Sequence, residues 1–98
     1  MLHILTIDDD ALMAKHGAWY VPRRDPNYLR RNALIALGNT GDPSDQRVHD
    51  TLQRYLTHDT AMLRAHAVWA CNQLGLSQYL QLVENDADPE VQAELAAI

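Results

Sequence analysis

Arginine supplies seven of the eight basic residues in this 98-residue chain, and four of them gather around one predicted helix start: Arg23, Arg24, Arg30 and Arg31. A guanidinium offers a planar fork of donors that fits phosphate or carboxylate oxygens. Trp19, Tyr20 and Tyr28 flank the cluster, and aromatic rings beside arginines can stack on nucleobases. Arg23, Arg24, Arg30, Arg31, Trp19 and Tyr20 are therefore the candidate contacts to a nucleic acid or a partner. Two considerations oppose RNA. Cations at a helix N-terminus work against the helix dipole, and the chain carries a formal charge of −5, where a nucleic-acid binder is usually basic. Arg30 and Arg64 are read as structural ion-pair residues, and the aromatics as packing.

Other chemistries find less support. Five histidines (His3, His16, His49, His58, His66) contain no pair four residues apart on one helix, the spacing a helical metal site needs. They read as surface or packing residues, and no metal or cofactor is expected. Cys71 is the single cysteine, so one chain can form neither an internal disulfide nor a cysteine-ligated cluster. It falls in an apolar stripe with Ala67, Ala70 and Leu74 and reads as a buried, inert thiol. Asp8-Asp9-Asp10 lacks the glycine and terminal glutamate of a calcium loop and reads as a helix start. There is no glycine-rich phosphate loop. No apolar run approaches the ~18 residues of a membrane span, and residues 1–10 lack the basic start of a secretory signal. The composition fits a soluble, cytoplasmic protein.

The elements that must position these residues are helices. Phe is absent, Leu and Ala dominate, and apolar residues recur at helical spacing: Val48, Leu52, Tyr55, Leu56, then Leu63, Ala67, Ala70, Cys71, Leu74. Leu29, Ala33, Ala36 and Leu37 form an earlier stripe, and Val91, Leu95 and Ile98 a later one. Asp-Pro occurs at 25–26, 42–43 and 88–89; the aspartate can cap a first turn whose N1 position suits proline. Asp59 offers the same cap without a proline. Gly38-Asn39 and Gly75 fit helix ends. The pattern predicts helices near 10–19, 26–37, 43–57, 60–74, 78–85 and 89–97. Residues 2–7 read as extended or as a loop. Charge is segregated: −2 over residues 1–22, +2 over 23–64 and −5 over 65–98.

The chain also repeats itself. Residues 25–33 align with 59–67 at an offset of 34, and a weaker copy begins at Asp88, where Leu63 corresponds to Val91. Each copy is a capping aspartate followed by an aliphatic-Arg/Gln helix, with a second amphipathic helix between copies. A helix-pair repeat of about 30–40 residues predicts an all-α fold, a short α-solenoid behind an N-terminal helical lead-in. The pattern resembles HEAT repeats, in particular the short variety of the phycobilisome-lyase type. Residues 1–24 form the lead-in and 25–98 the repeats of one domain. Leu95 and Ile98 give its last helix an apolar end that a partner could cover.

The stretch from Asp9 to Asn39, and above all the phrase Arg30-Arg31-Asn32-Ala33-Leu34-Ile35-Ala36-Leu37-Gly38-Asn39, resembles the C-terminal part of epoxyqueuosine reductase and its double-cluster iron–sulfur relatives. That family reduces a modified base in tRNA, using cobalamin and two [4Fe–4S] clusters. The cluster cysteines and the cobalamin-binding part have no counterpart here. The resemblance therefore implies a non-catalytic module that docks tRNA or the catalytic part of such an oxidoreductase. The alternative is a stand-alone adaptor binding only protein, or a small subunit of a redox complex.

Overall fold

A computed structural model describes residues 5–6 and 26–97. Five elements follow one another: α1 (Pro26–Thr40), α2 (Gln46–Leu56), α3 (Ala61–Leu74), a 3₁₀ helix η1 (Ser77–Val83) and α4 (Pro89–Ala96). The described residues contain no strand. The all-α expectation holds, and the helices stack as a short solenoid. α3 packs against α1 and α4, which form one layer with it, and against α2 and η1, which form the other. The shortest extent of the molecule, 18 Å, matches two helix layers set ~8–10 Å apart.

Burial follows the sequence pattern. Val48, Leu52, Tyr55 and Leu56 of α2 are buried while Arg47, Asp50 and Arg54 face solvent. α3 differs in kind, because Leu63, Ala65, Ala67, Val68, Ala70 and Cys71 are all buried. A helix that is apolar nearly all round needs neighbours on nearly all sides, and α3 has four. Ala33, Leu34 and Leu37 of α1, Val83 of η1 and Val91 of α4 complete the core. Leu5 and Thr6, read from sequence as extended or loop, are helical. Leu5 is fully buried, and its carbonyl accepts from the Tyr55 hydroxyl at 2.6 Å.

Several boundaries differ from expectation. The predicted helix over 43–57 begins three residues later. Asp42 does not cap it but builds the preceding turn: its Oδ1 accepts from the Ser44 amide (2.9 Å) and hydroxyl (2.7 Å), and its carbonyl accepts from the Asp45 amide. Proline in the second place of such a turn has its φ already set. Asp45 then caps α2 through the Arg47 amide. Asp59 does not cap α3 either. The cap position belongs to Thr60, whose hydroxyl instead meets Asn27 Nδ2 at 3.5 Å. Asp88 caps α4 as read, accepting from the Glu90 and Val91 amides with Pro89 at the first helical position. The predicted helix over 78–85 is the 3₁₀ segment η1, which no side chain caps at its start. The helix expected over 10–19 and the Asp25 cap lie outside the described residues.

The glycines divide. Gly75 closes α3 at φ 72°, and the Leu76 amide returns to the Cys71 carbonyl at 2.8 Å, a left-handed stop as read. Gly38, expected to end α1, lies inside it. A Cβ there would stand 2.5 Å from Trp69 Cζ3 and 3.1 Å from Ala70 Cα. Its lack of a side chain is what lets α1 and α3 approach.

Arg64 fastens successive repeats. Its Nε and Nη2 fork onto Asp86 at 2.7 and 3.3 Å, and Nη1 donates to the carbonyls of His58 and Asp59. The ion pair expected of Arg64 is thus formed with the turn before α4, and it holds the start of α3 at the same time. Asp86 further accepts from the Asp88 amide at 3.0 Å. These bonds hold its carboxyl below the ordinary range, the Arg64 contact most of all.

Candidate functional site

α1, α3 and α4 lie side by side and share one outward face. An open cleft of about 280 Å³ crosses all three, lined by Ile35 of α1, His66 and Trp69 of α3, and Glu94 of α4. Repeat geometry explains the grouping. At the offsets of the internal repeat, Asn32, His66 and Glu94 occupy one register position, and Ile35 and Trp69 another. Residues in equivalent places of stacked helices fall in a row across the layer.

Trp69 and His66 are set by their surroundings. Trp69 is half-buried and rests over Gly38. His66 Nδ1 lies 2.7 Å from the Met62 carbonyl. A carbonyl only accepts, so Nδ1 carries the hydrogen, and in the neutral ring Nε2 keeps its lone pair. Among the described residues neither Nε2, the Glu94 carboxylate nor the Trp69 indole N–H has a hydrogen-bond partner. The cleft therefore combines apolar surface with polar groups that the fold itself does not use.

The residues singled out from sequence are placed differently. Arg23, Arg24, Trp19, Tyr20 and Ile98 lie outside the described residues. Arg30 is turned inward, 6% exposed, and engages other groups. Arg31 is half-buried, with its guanidinium 4.9 Å from the centre of the Tyr28 ring and two donors on Asn32 Oδ1. Leu95 packs partly buried against the core rather than standing free. Among large apolar side chains, the described residue most exposed is Leu82 of η1, at 48%.

The two described histidines outside the cleft have structural tasks. His49 joins the turn to η1, with Nε2 2.6 Å from the Pro43 carbonyl and Nδ1 2.6 Å from the Tyr79 hydroxyl. His58 stacks on Tyr55, and its Nδ1 accepts from the Thr60 amide. Among the described residues no three His, Cys, Asp or Glu side chains converge as metal ligands. Burial pushes the Cys71 thiol up to about 12, so it stays protonated and unreactive near neutral pH. Asp45 is held low by the Arg47 fork and Asp42 by the Ser44 hydroxyl. Among the described residues no helix is long and apolar enough to cross a membrane.

In the sequence alone Ile35 and Glu94 carry no sign of a site, His66 reads as a surface or packing residue, and Trp69 faces either a neighbouring layer or a partner. The signal that could have found them is the repeat register, which aligns their positions in the sequence itself.

Neither the curated proteins nor the solved structures contain a significant match to this chain. The family described as HEAT repeats matches residues 20–98. That match, together with stacked helix pairs at the repeat spacing read from the sequence, places the chain in the HEAT-repeat family, whose members commonly mediate contacts between proteins.

Proposed function

We propose that this chain is a non-catalytic docking module of the cytoplasm that holds a partner protein on the face shared by α1, α3 and α4. The observation that carries the reading is the cleft, where three helices contribute apolar surface and unused hydrogen-bonding groups to one place. A folded chain gains little from leaving half-buried polar atoms unpaired, whereas a partner can supply what they lack. Protein is favoured over tRNA because Arg30 is turned inward and because residues 65–98 contain five acids and no lysine or arginine. The phrase from Arg30 to Asn39 supports, as the first partner to try, the catalytic part of an iron–sulfur oxidoreductase of the epoxyqueuosine reductase kind.

The test is capture with the tagged full chain from its source cells, with and without RNase, read by mass spectrometry. The result expected is a protein retained after RNase and lost when Trp69→Ala or Glu94→Arg disturbs the face, with circular dichroism unchanged. Recovery of an iron–sulfur protein ties the module to the oxidoreductases. Recovery of an unrelated assembly makes it a free-standing adaptor. Recovery of tRNA alone, with binding that falls steeply as salt rises, overturns the protein reading.

A further inference from the structure

We infer that the cleft is a receptor for one basic side chain, arginine above all, presented by a segment of the partner protein. The inference rests on the docking reading and names the chemistry of its contact.

Size comes first. At about 280 Å³ the cleft falls just short of the ~300–1,000 Å³ usual for small-molecule pockets. It suits a single long side chain better than a cofactor. The chemistry of the walls comes next, and apart from the indole N–H of Trp69 it offers acceptors. Glu94 brings a carboxylate with no cation paired to it among the described residues. His66 brings an imidazole whose Nδ1–H is already committed to the Met62 carbonyl, leaving an acceptor at Nε2. Trp69 brings an indole ring, the best of the aromatic faces for a cation. Ile35 brings an apolar wall against which methylene groups can lie. A carboxylate, an imidazole lone pair and a π-system all favour a cation, and a guanidinium can fork onto the first while lying against the third.

The wider charge agrees. The last third of the chain, from residue 65 onward, carries −5, so a basic segment is drawn to this end and an acidic one repelled. The described arginines are engaged elsewhere. Arg64 is forked onto Asp86, Arg47 onto Asp45, and Arg31 is held by Asn32 and Tyr28. None of these is paired to Glu94.

The experiment titrates the ¹⁵N-labelled full chain with an acetylated, amidated pentapeptide of sequence alanine-leucine-arginine-leucine-alanine. Two counterparts carry norleucine or glutamate in the arginine place. The reporters are the Trp69 indole N–H, assigned through Trp69→Phe, and the amides of Ile35, His66 and Glu94. The arginine peptide is expected to shift these signals saturably at millimolar concentration. Glu94→Gln weakens that binding about fivefold, the worth of one partly exposed ion pair. Glu94→Arg reverses the preference, so that the glutamate peptide binds and the arginine peptide does not.

Equal binding of the norleucine peptide overturns the inference, as does an arginine peptide that leaves these four signals unmoved. Displacement of the same signals by tRNA and not by the arginine peptide overturns it as well. Should the captured partner bind Glu94→Gln as well as it binds the natural chain, while Trp69→Ala still abolishes capture, the basic-residue receptor fails and the docking module stands.

Discussion

Trp69 occupies the volume that a side chain at position 38 would need. One missing methyl group therefore sets both the closeness of α1 to α3 and the place of an indole that lines the cleft. Gly38→Ala is expected to cost about 1–3 kcal/mol, the usual penalty of overpacking, and to shift the emission of Trp69 while the helix content stays the same. Thermal unfolding and tryptophan fluorescence together check this, and an unchanged Tm speaks against the tight contact. Sequence reading took Gly38-Asn39 for a helix end because a glycine that permits a left-handed turn and one that permits a close approach are the same residue type. Gly75, which does adopt positive φ, was legible because the apolar stripe of α3 stops just before it. Cys71 was legible too, as an apolar position in a helical stripe. With its thiol pushed up to about 12 by burial, iodoacetamide at pH 8 is expected to leave it unlabelled in the folded chain and to label it fully in guanidinium. Rapid labelling of the folded protein counts against its burial.

Helix existence and helix start were unequally readable among the elements. The period of the apolar residues fixed α1 to α4, because burying one face of a helix demands that period. Starts were harder, since an Asp-Pro pair serves a turn as well as a cap. Asp88 accepts two first-turn amides of α4, whereas Asp42 shapes the turn that precedes α2 and leaves the capping to Asp45. Asp88→Ala is expected to lower stability by about 1 kcal/mol, while Asp42→Ala lowers it less because the α2 cap survives. Urea unfolding of the two variants distinguishes them, and a larger loss for Asp42→Ala reverses the assignment of roles. The site was illegible for a related reason. No single element contains it, and only the register between repeats brings Ile35, His66, Trp69 and Glu94 to one place.

Charge couples the molecule as a whole to pH. Asp42, Asp45 and Asp86 are all held below their ordinary value by hydrogen bonds that favour the charged form. A group whose folded pKa is depressed adds stability that is complete above its unfolded value, about 3.9 for aspartate, and that fades as pH falls through the folded value. The Tm is therefore expected to fall as the pH drops below that range, with a shallower fall in Asp86→Asn, which has already lost its share. Scanning calorimetry between pH 6 and 2.5 measures it, and an identical slope in the variant would show that Asp86 takes no part.

The bond from the Tyr55 hydroxyl to the Leu5 carbonyl spans 50 residues, and it bears on the order in which the chain folds. The contacts of α3 with α2 and η1 join elements close together in sequence, and such pairings form early at small entropic cost. Closing a fifty-residue span gains nothing until Tyr55 is already fixed in a packed α2, so the loop entropy is repaid late. Tyr55→Phe is thus expected to hasten unfolding and leave the refolding rate unchanged, the mark of a contact made after the rate-limiting barrier. Stopped-flow kinetics in urea would display this as a raised unfolding limb beside an unmoved refolding limb. The solenoid would then assemble from its α2–α3 pair outward, with Leu5 meeting Tyr55 as the final step.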